Sequence, residues 1–325
     1  MNSSSTTVVL GWDGLDYRIV EEFGLEGEFA PHSKEIDTFD NEVTEYPGTY
    51  ELWPSIFTGV MPETHGVYLL RYNGEGDANV FSGRIAGKIS ELFDSAISDE
   101  KSKYIAMGLR NRGYNKTQKT PEWYREKGVT TLFDGVHARP VGVPNYRTAL
   151  DERLDLMSGW CEEMAEVMKF TTHEEKDLEV YKPRIPIDDL ESWQIAKAQE
   201  KLGVVKRSVH SGEYDLVFVW LSYLDTVGHT MFYADPEYQR RNYRHAATMT
   251  RELREWLSDE DELVVVSDHG NRDGLHTHNA YFGATDEDAL TGVSSVLDVR
   301  GAVEKTISRG SRTDAGVERE RANSN

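Results

Sequence analysis

The sequence predicts an α/β protein with a mostly parallel central sheet flanked by helices on both faces. Three observations carry this expectation. Apolar, β-branched runs end in polar residues at three places, "TTVVLGWDG", "YDLVFVWLSYLD" and "DELVVVSDHG", a composition that suits strands covered on both sides. A long amphipathic stretch, "PEYQRRNYRHAATMTRELREWLSD", separates the last two, and alternation of strand with helix favours parallel pairing. The chain of 325 residues, 38% of them hydrophobic, is long enough for one large domain with its own core.

The elements follow in order. "TTVVLGWDG" is expected as a buried strand that places Asp13 at its C-terminal end. "LDYRIVEEFG" has helical spacing and a terminal Gly, and "NEVTEYP" is expected as a second strand leading into "GTYELWPSIFTGVMPETHG". "KYIAMGL" reads as a third strand. From about 111 to 186 Lys, Glu, Tyr and Trp dominate, strands are weak, and "LDERLDLMSGWCEEMAEVMKF" looks helical. This range is expected to be an inserted cap over the sheet edge, within a single catalytic domain over 1–307. The polar, Gly- and Ser-containing stretch 308–325 is expected to be a disordered tail.

Charge narrows the function classes. The formal net charge is −21, with 57 acidic residues, a balance that repels both nucleic acid polymers and anionic membranes. The acidic residues are spread along the chain, as in a halophilic, acidic proteome. At about 1 M salt, where the Debye length is roughly 3 Å, such a surface still admits a small anionic substrate. The single cysteine, Cys161, excludes an internal disulfide framework. The start shows no basic n-region, and no apolar run approaches the roughly 20 residues of a spanning helix. The expectation is a cytoplasmic protein, monomeric or oligomeric.

Chemistry-bearing residues gather where the buried strands end, the place where open α/β sheets build their sites. Asp13 follows the first strand, Asp225 and His229 follow the second in "LSYLDTVGH", and Asp268 and His269 follow the third in "VVVSDHGN". His276 and His278 come shortly after, in "GLHTHNAYFG". Taken singly, an Asp after a strand is most often a helix N-cap and a lone His is usually structural. Three such groups at the ends of strands in one sheet point instead to a two-metal centre, and mixed carboxylate and imidazole ligands suit Zn, Mn or Fe.

These ordered motifs resemble the alkaline phosphatase superfamily, and within it the type I phosphodiesterase/nucleotide pyrophosphatase branch. The resemblance rests on "GWDG", "T-x4-P-S-x2-TG-x2-P-x2-HG", "D-x3-H", "SDHG" and "HTHN", in stretches 8–67 and 214–283. It implies an alkaline phosphatase-like fold and names Thr49 as the nucleophile, sixteen residues before His65. It also implies two divalent metal ions, Zn or Mn. Asp225, His229 and His276 would hold one ion; Asp13, Asp268, His269 and Thr49 would hold the other. His278 would sit near the site as a substrate-binding residue without being a metal ligand, and His65 would be structural. The helix N-terminus at Thr49 suits an anionic phosphoryl group. The implied reaction is hydrolysis of a small anionic phosphoester through a covalent phospho-threonine.

The match departs from the family at Leu70, where a phosphate-contacting Asn is expected; Arg71 or Asn73 could replace it as substrate-binding residues. The stretch from Thr49 to Trp53 has no Cys/Ser-x-Pro-x-Arg motif, which argues against a formylglycine-dependent sulfatase. Two competing readings stay open: a phosphomutase or phosphotransferase of the same superfamily, and a non-catalytic metal-binding member.

Overall fold

A computed structural model describes residues 5–42, 45–68, 118–149, 151, 167–172 and 179–309. Strand β1 (Thr7–Trp12) is buried at every position because it lies mid-sheet with helices on both sides. It pairs in parallel with β6 (Leu216–Leu221) and with β7 (Glu262–Val266), bringing the C-terminal ends of all three apolar runs to one edge. Among the described residues the sheet has six strands, in the order β2 (His32–Ile36), β10 (Ala280–Ala284), β7, β1, β6 and β3 (Ala138–Val141). At one end β3 adds in parallel to β6. At the other, β10 runs antiparallel to both β7 and the outer strand β2.

Alternate side chains divide into two cores. On one face Val8, Leu10, Trp12, Val217, Val219 and Leu221 are buried. The helices covering them are α1 (Tyr17–Phe23), α2 (Glu26–Phe29), α6 (Ile187–Ser211), α7 (Tyr223–Gly228) and α8 (Tyr238–Trp256). On the other face Val9, Phe218, Trp220, Val264 and Val266 pack with α3 (Thr49–Thr58) and with a helix over 299–309, α9. Around Phe57 of α3, the rings of Tyr124, Phe133 and Tyr146 lie 5.4, 5.5 and 5.4 Å away, centroid to centroid. Tyr124 belongs to α5 (Pro121–Glu126), and a four-residue helix, α4 (Pro62–His65), follows α3.

The structure corrects several expectations. The second strand is His32–Ile36 rather than "NEVTEYP", of which the described residues form a turn closed by a bridge between Asp40 and Pro47. Within the range 111–186, residues 118–149 supply the edge strand β3 and the aromatic cluster on Phe57, so these residues belong to the main body. Within the same range β4 (Met168–Thr172) and β5 (Glu179–Pro183) form a two-stranded hairpin where a helix was expected up to Phe170. Ser308 and Arg309 continue α9. "KYIAMGL", most of "LDERLDLMSGWCEEMAEVMKF" and the rest of the tail lie outside the described residues. Among the described residues no helix is long and apolar enough to cross a membrane.

Candidate metal centre and nucleophile

Each functional side chain is placed by a strand end. β1 stops at Asp13, whose N–H still donates to the Leu221 carbonyl of β6 (3.0 Å). The chain then turns at Gly14, which has φ +74° and where an added Cβ would lie 2.9 Å from the Asp225 Cα. A side chain there would be strained by the positive φ and would push the two strand ends apart. As built, the Asp225 N–H donates to the Asp13 carbonyl at 3.0 Å, and α7 then carries His229 one turn on, at Asp225+4.

β7 ends at Val266, and Ser267, Asp268 and His269 follow it. The chain then forms the hairpin of β8 (Gly270–Arg272) with β9 (Leu275–Thr277), in which His276 sits opposite Asn271. This fold-back stacks the His276 ring on that of His269, centroids 3.9 Å apart and 21° between planes. Thr49 is the first residue of α3, after Gly48 at the N-cap.

Two ligand clusters result, Asp225–His229–His276 and Asp13–Asp268–His269, and within each the donor atoms lie within 4.8 Å of one another. Thr49 Oγ1 is 3.1 Å from Asp13 Oδ1 and 3.0 Å from His269 Nε2. In the other cluster Asp225 Oδ1 is 3.3 Å from Nε2 of both His229 and His276.

The donor set fits divalent cations on three counts. Nδ1 of His229, His269 and His276 faces the carbonyls of Gly274 (3.3 Å), Gly270 (3.0 Å) and Pro47 (2.6 Å). A carbonyl can only accept, so each Nδ1 carries a proton, and Nε2 is the atom that the neutral ring would offer to a cation, in the tautomer metal-binding imidazoles adopt. The bare Nε2 atoms of His229 and His276 then face each other at 3.1 Å, a repulsive arrangement that a shared positive charge relieves. Finally, both carboxylate oxygens of Asp268 are buried with no hydrogen-bond partner, a costly state for a charge unless a cation compensates it.

Protonation equilibria carry the same signature. Burial pushes the Asp268 carboxyl well above the usual carboxylate range, and neighbouring Asp13 adds to the shift. Burial works against a charge on His269, but Asp268 and Asp13 outweigh it and raise this imidazole to about 10. Burial also opposes charge on Asp225, yet His229 and His276 together hold it well below the carboxylate range. Burial lowers His276, with His269 adding to the effect. These opposed shifts come from burying carboxylates and imidazoles at one point, where a divalent cation would compete with protons for the same atoms.

Six of the expected ligands and Thr49 therefore converge. His278 does not join them; it is more than half exposed and pairs with Asp40 at 2.7 Å. Arg71 and Asn73 lie outside the described residues. His65 is buried between the Ser55 hydroxyl (3.0 Å) and the Val67 N–H (3.1 Å), away from the ligands. Three contacts had no signal in the sequence. Trp53 and Trp220 donate their indole N–H groups to Asp13 Oδ2, and Asn271 Nδ2 donates to Asp225 Oδ1 at 2.9 Å. A Trp inside an apolar run reads as core, and only the folded sheet shows where its N–H points.

A family model for type I phosphodiesterase / nucleotide pyrophosphatase matches residues 7–288. The chain belongs to that family. Type I phosphodiesterases and nucleotide pyrophosphatases are phosphoric ester hydrolases that act on small phosphoester or nucleotide substrates. Among solved structures, the chain is similar to murine ectonucleotide pyrophosphatase/phosphodiesterase 5, with 13% identity and a TM-score of 0.37. That match covers 82% of this chain and 57% of the murine one, so this chain spans little more than half of that protein. The PH0037 protein from Pyrococcus horikoshii is 13% identical with a TM-score of 0.43, covering 95% of this chain and 98% of that one. Alkaline phosphatase from the Antarctic bacterium TAB5 is 11% identical with a TM-score of 0.44, covering 94% and 98%. No curated protein matches this chain in sequence.

Proposed function

We propose that this chain hydrolyses small anionic phosphoesters at a two-cation centre, with Thr49 as the nucleophile. The observation that carries the reading is the position of Thr49 Oγ1, 3.1 Å from Asp13 Oδ1 and 3.0 Å from His269 Nε2, at the first residue of α3. Asp225, His229 and His276 would hold one cation; Asp13, Asp268, His269 and the Thr49 hydroxyl would hold the other. Mixed carboxylate and imidazole donors suit Zn or Mn. When bound, the two cations supply Lewis-acid stabilisation of charge on the attacking and leaving oxygens.

The chain's own residues supply the rest. Asp13 Oδ1 orients the Thr49 hydroxyl, and the N-terminal N–H groups of α3 attract the phosphoryl oxygens. Thr49 Oγ1 bonds to phosphorus as the ester P–O bond breaks and the alcohol leaves, forming a phospho-threonine. Water then attacks phosphorus, the Oγ1–P bond breaks, and phosphate or a phosphomonoester departs with Thr49 restored. Against two divalent cations, three carboxylates leave about one positive charge at the centre, which favours an anionic substrate. The net charge of −21 points to a protein at home in concentrated salt.

The test is turnover of bis-p-nitrophenyl phosphate, p-nitrophenyl phosphate and p-nitrophenyl sulfate at low and molar salt. Thr49→Ala should lower phosphoester turnover by roughly 10³-fold or more, chelation should abolish it, and acid quenching should trap the phosphoryl group on Thr49. Full activity in Thr49→Ala would overturn the assignment.

A further inference from the structure

The two oxygens of Asp13 have different surroundings. Oδ1 faces Thr49 Oγ1 at 3.1 Å and His269 Nε2 at 3.3 Å. Oδ2 accepts two indole N–H groups, from Trp220 at 2.9 Å and from Trp53 at 3.3 Å. Both indoles are buried, and they arrive from different elements: Trp220 from β6, beside β1, and Trp53 from α3, one turn after Thr49. An indole nitrogen can donate but not accept. A carboxylate held by two such donors on one oxygen is not free to rotate or to turn both oxygens toward a cation.

Each indole is itself seated. Trp53 fits because residue 11 is glycine; a Cβ there would lie 2.6 Å from the Trp53 Cη2. Lys201 donates from Nζ to the Trp220 carbonyl at 2.9 Å, with Nζ 4.6 Å from the ring centroid. A cation over the ring face draws on its electron density and makes the N–H a better donor. Packing alone does not require this convergence, since the buried Trp12 on the opposite face donates to the Thr250 hydroxyl at 2.9 Å.

We propose that Trp53 and Trp220 are positioning residues for Asp13: together they bind Oδ2 and leave Oδ1 as the single atom offered to the cation beside Thr49. The proposal rests on the two-cation reading above. It is tested by titrating Mn2+ into the metal-stripped full chain by calorimetry, with folding followed by circular dichroism. Trp53→Phe and Trp220→Phe should each weaken one of two Mn2+ sites by about tenfold or more and leave the other within about twofold. Trp12→Phe, the same change of ring in the other core, should leave both sites as they were.

A sign reversal separates positioning from packing. In an Asp13→Asn background the two indoles would hold the amide oxygen and turn the NH2 group to the cation, so binding should be as poor as in Asp13→Ala. Adding Trp53→Phe and Trp220→Phe to Asp13→Asn frees the amide to rotate and should tighten Mn2+ binding. Wild-type affinities in both single Trp variants, or equal weakening in Trp12→Phe, would overturn the positioning role while a site lost in Asp13→Ala keeps the two-cation reading. Two undisturbed sites in Asp13→Ala would overturn both.

Discussion

Asp268 has both oxygens buried without a hydrogen-bond partner, beside Asp13 and His269. Without a cation this is a local destabilisation, since an unsatisfied buried polar group costs about 1–3 kcal/mol and a charge more. Asp268→Leu, which puts an apolar side chain of similar shape there, should therefore stabilise the metal-stripped protein by about 1–3 kcal/mol while removing one bound cation. Denaturant unfolding of stripped and loaded protein, with metal content measured alongside, checks both halves. A stripped variant less stable than its parent would refute the account. At this scale five of the six converging Asp and His residues are legible in the sequence because they follow apolar runs that read as strands, whereas His276 is singled out only by the resemblance of "HTHN" to the family motif. The partners that orient them are not: Pro47, Gly270 and Gly274 act through backbone carbonyls, which any residue type carries.

The helix that begins at Thr49 is held by the element after it. α4 brings His65 against Ser55 of α3, and burial lowers this imidazole to about 3. Its ordinary value in the unfolded chain is about 6.5. Above that pH neither state holds the proton and His65 adds no pH dependence. Below it the unfolded chain takes up a proton that the folded protein refuses, so stability falls by about 1.4 kcal/mol per pH unit as pH drops from 6.5 toward 3. His65→Gln should cost about 1–2 kcal/mol at pH 7, through the bonds to Ser55 and Val67, and should remove that slope. The stability gap between parent and variant should then close by about 2 kcal/mol between pH 6.5 and 5; a gap constant with pH would show that His65 titrates normally in the fold. The elements that escape sequence reading are the outer ones. β2, "HSKEI", is polar and among the described residues pairs only with β10, and β3, "ARPV", carries Pro140 at a sheet edge that tolerates it. Neither has the apolar run that reveals β1, β6 and β7.

Over the whole molecule two fields oppose each other. The chain carries −21, whereas the loaded centre would carry about +1. At about 0.01 M ionic strength the Debye length is roughly 30 Å, long enough for the acidic surface to repel an approaching phosphoester. At about 1 M it is roughly 3 Å, and an anion approaching the centre would respond chiefly to cations bound there and to the N-terminus of α3. Chemistry at the buried centre is screened little in either case. Raising KCl from about 0.01 to 1 M should therefore lower KM for bis-p-nitrophenyl phosphate several-fold and leave kcat within about twofold. The same screening should raise the unfolding temperature by relieving self-repulsion, because exposed ion pairs such as Arg18–Glu21 and Arg125–Glu122 contribute little to begin with. A KM that rises with salt would mean that the local positive charge already governs substrate capture at low ionic strength, and that the acidic surface serves solubility alone.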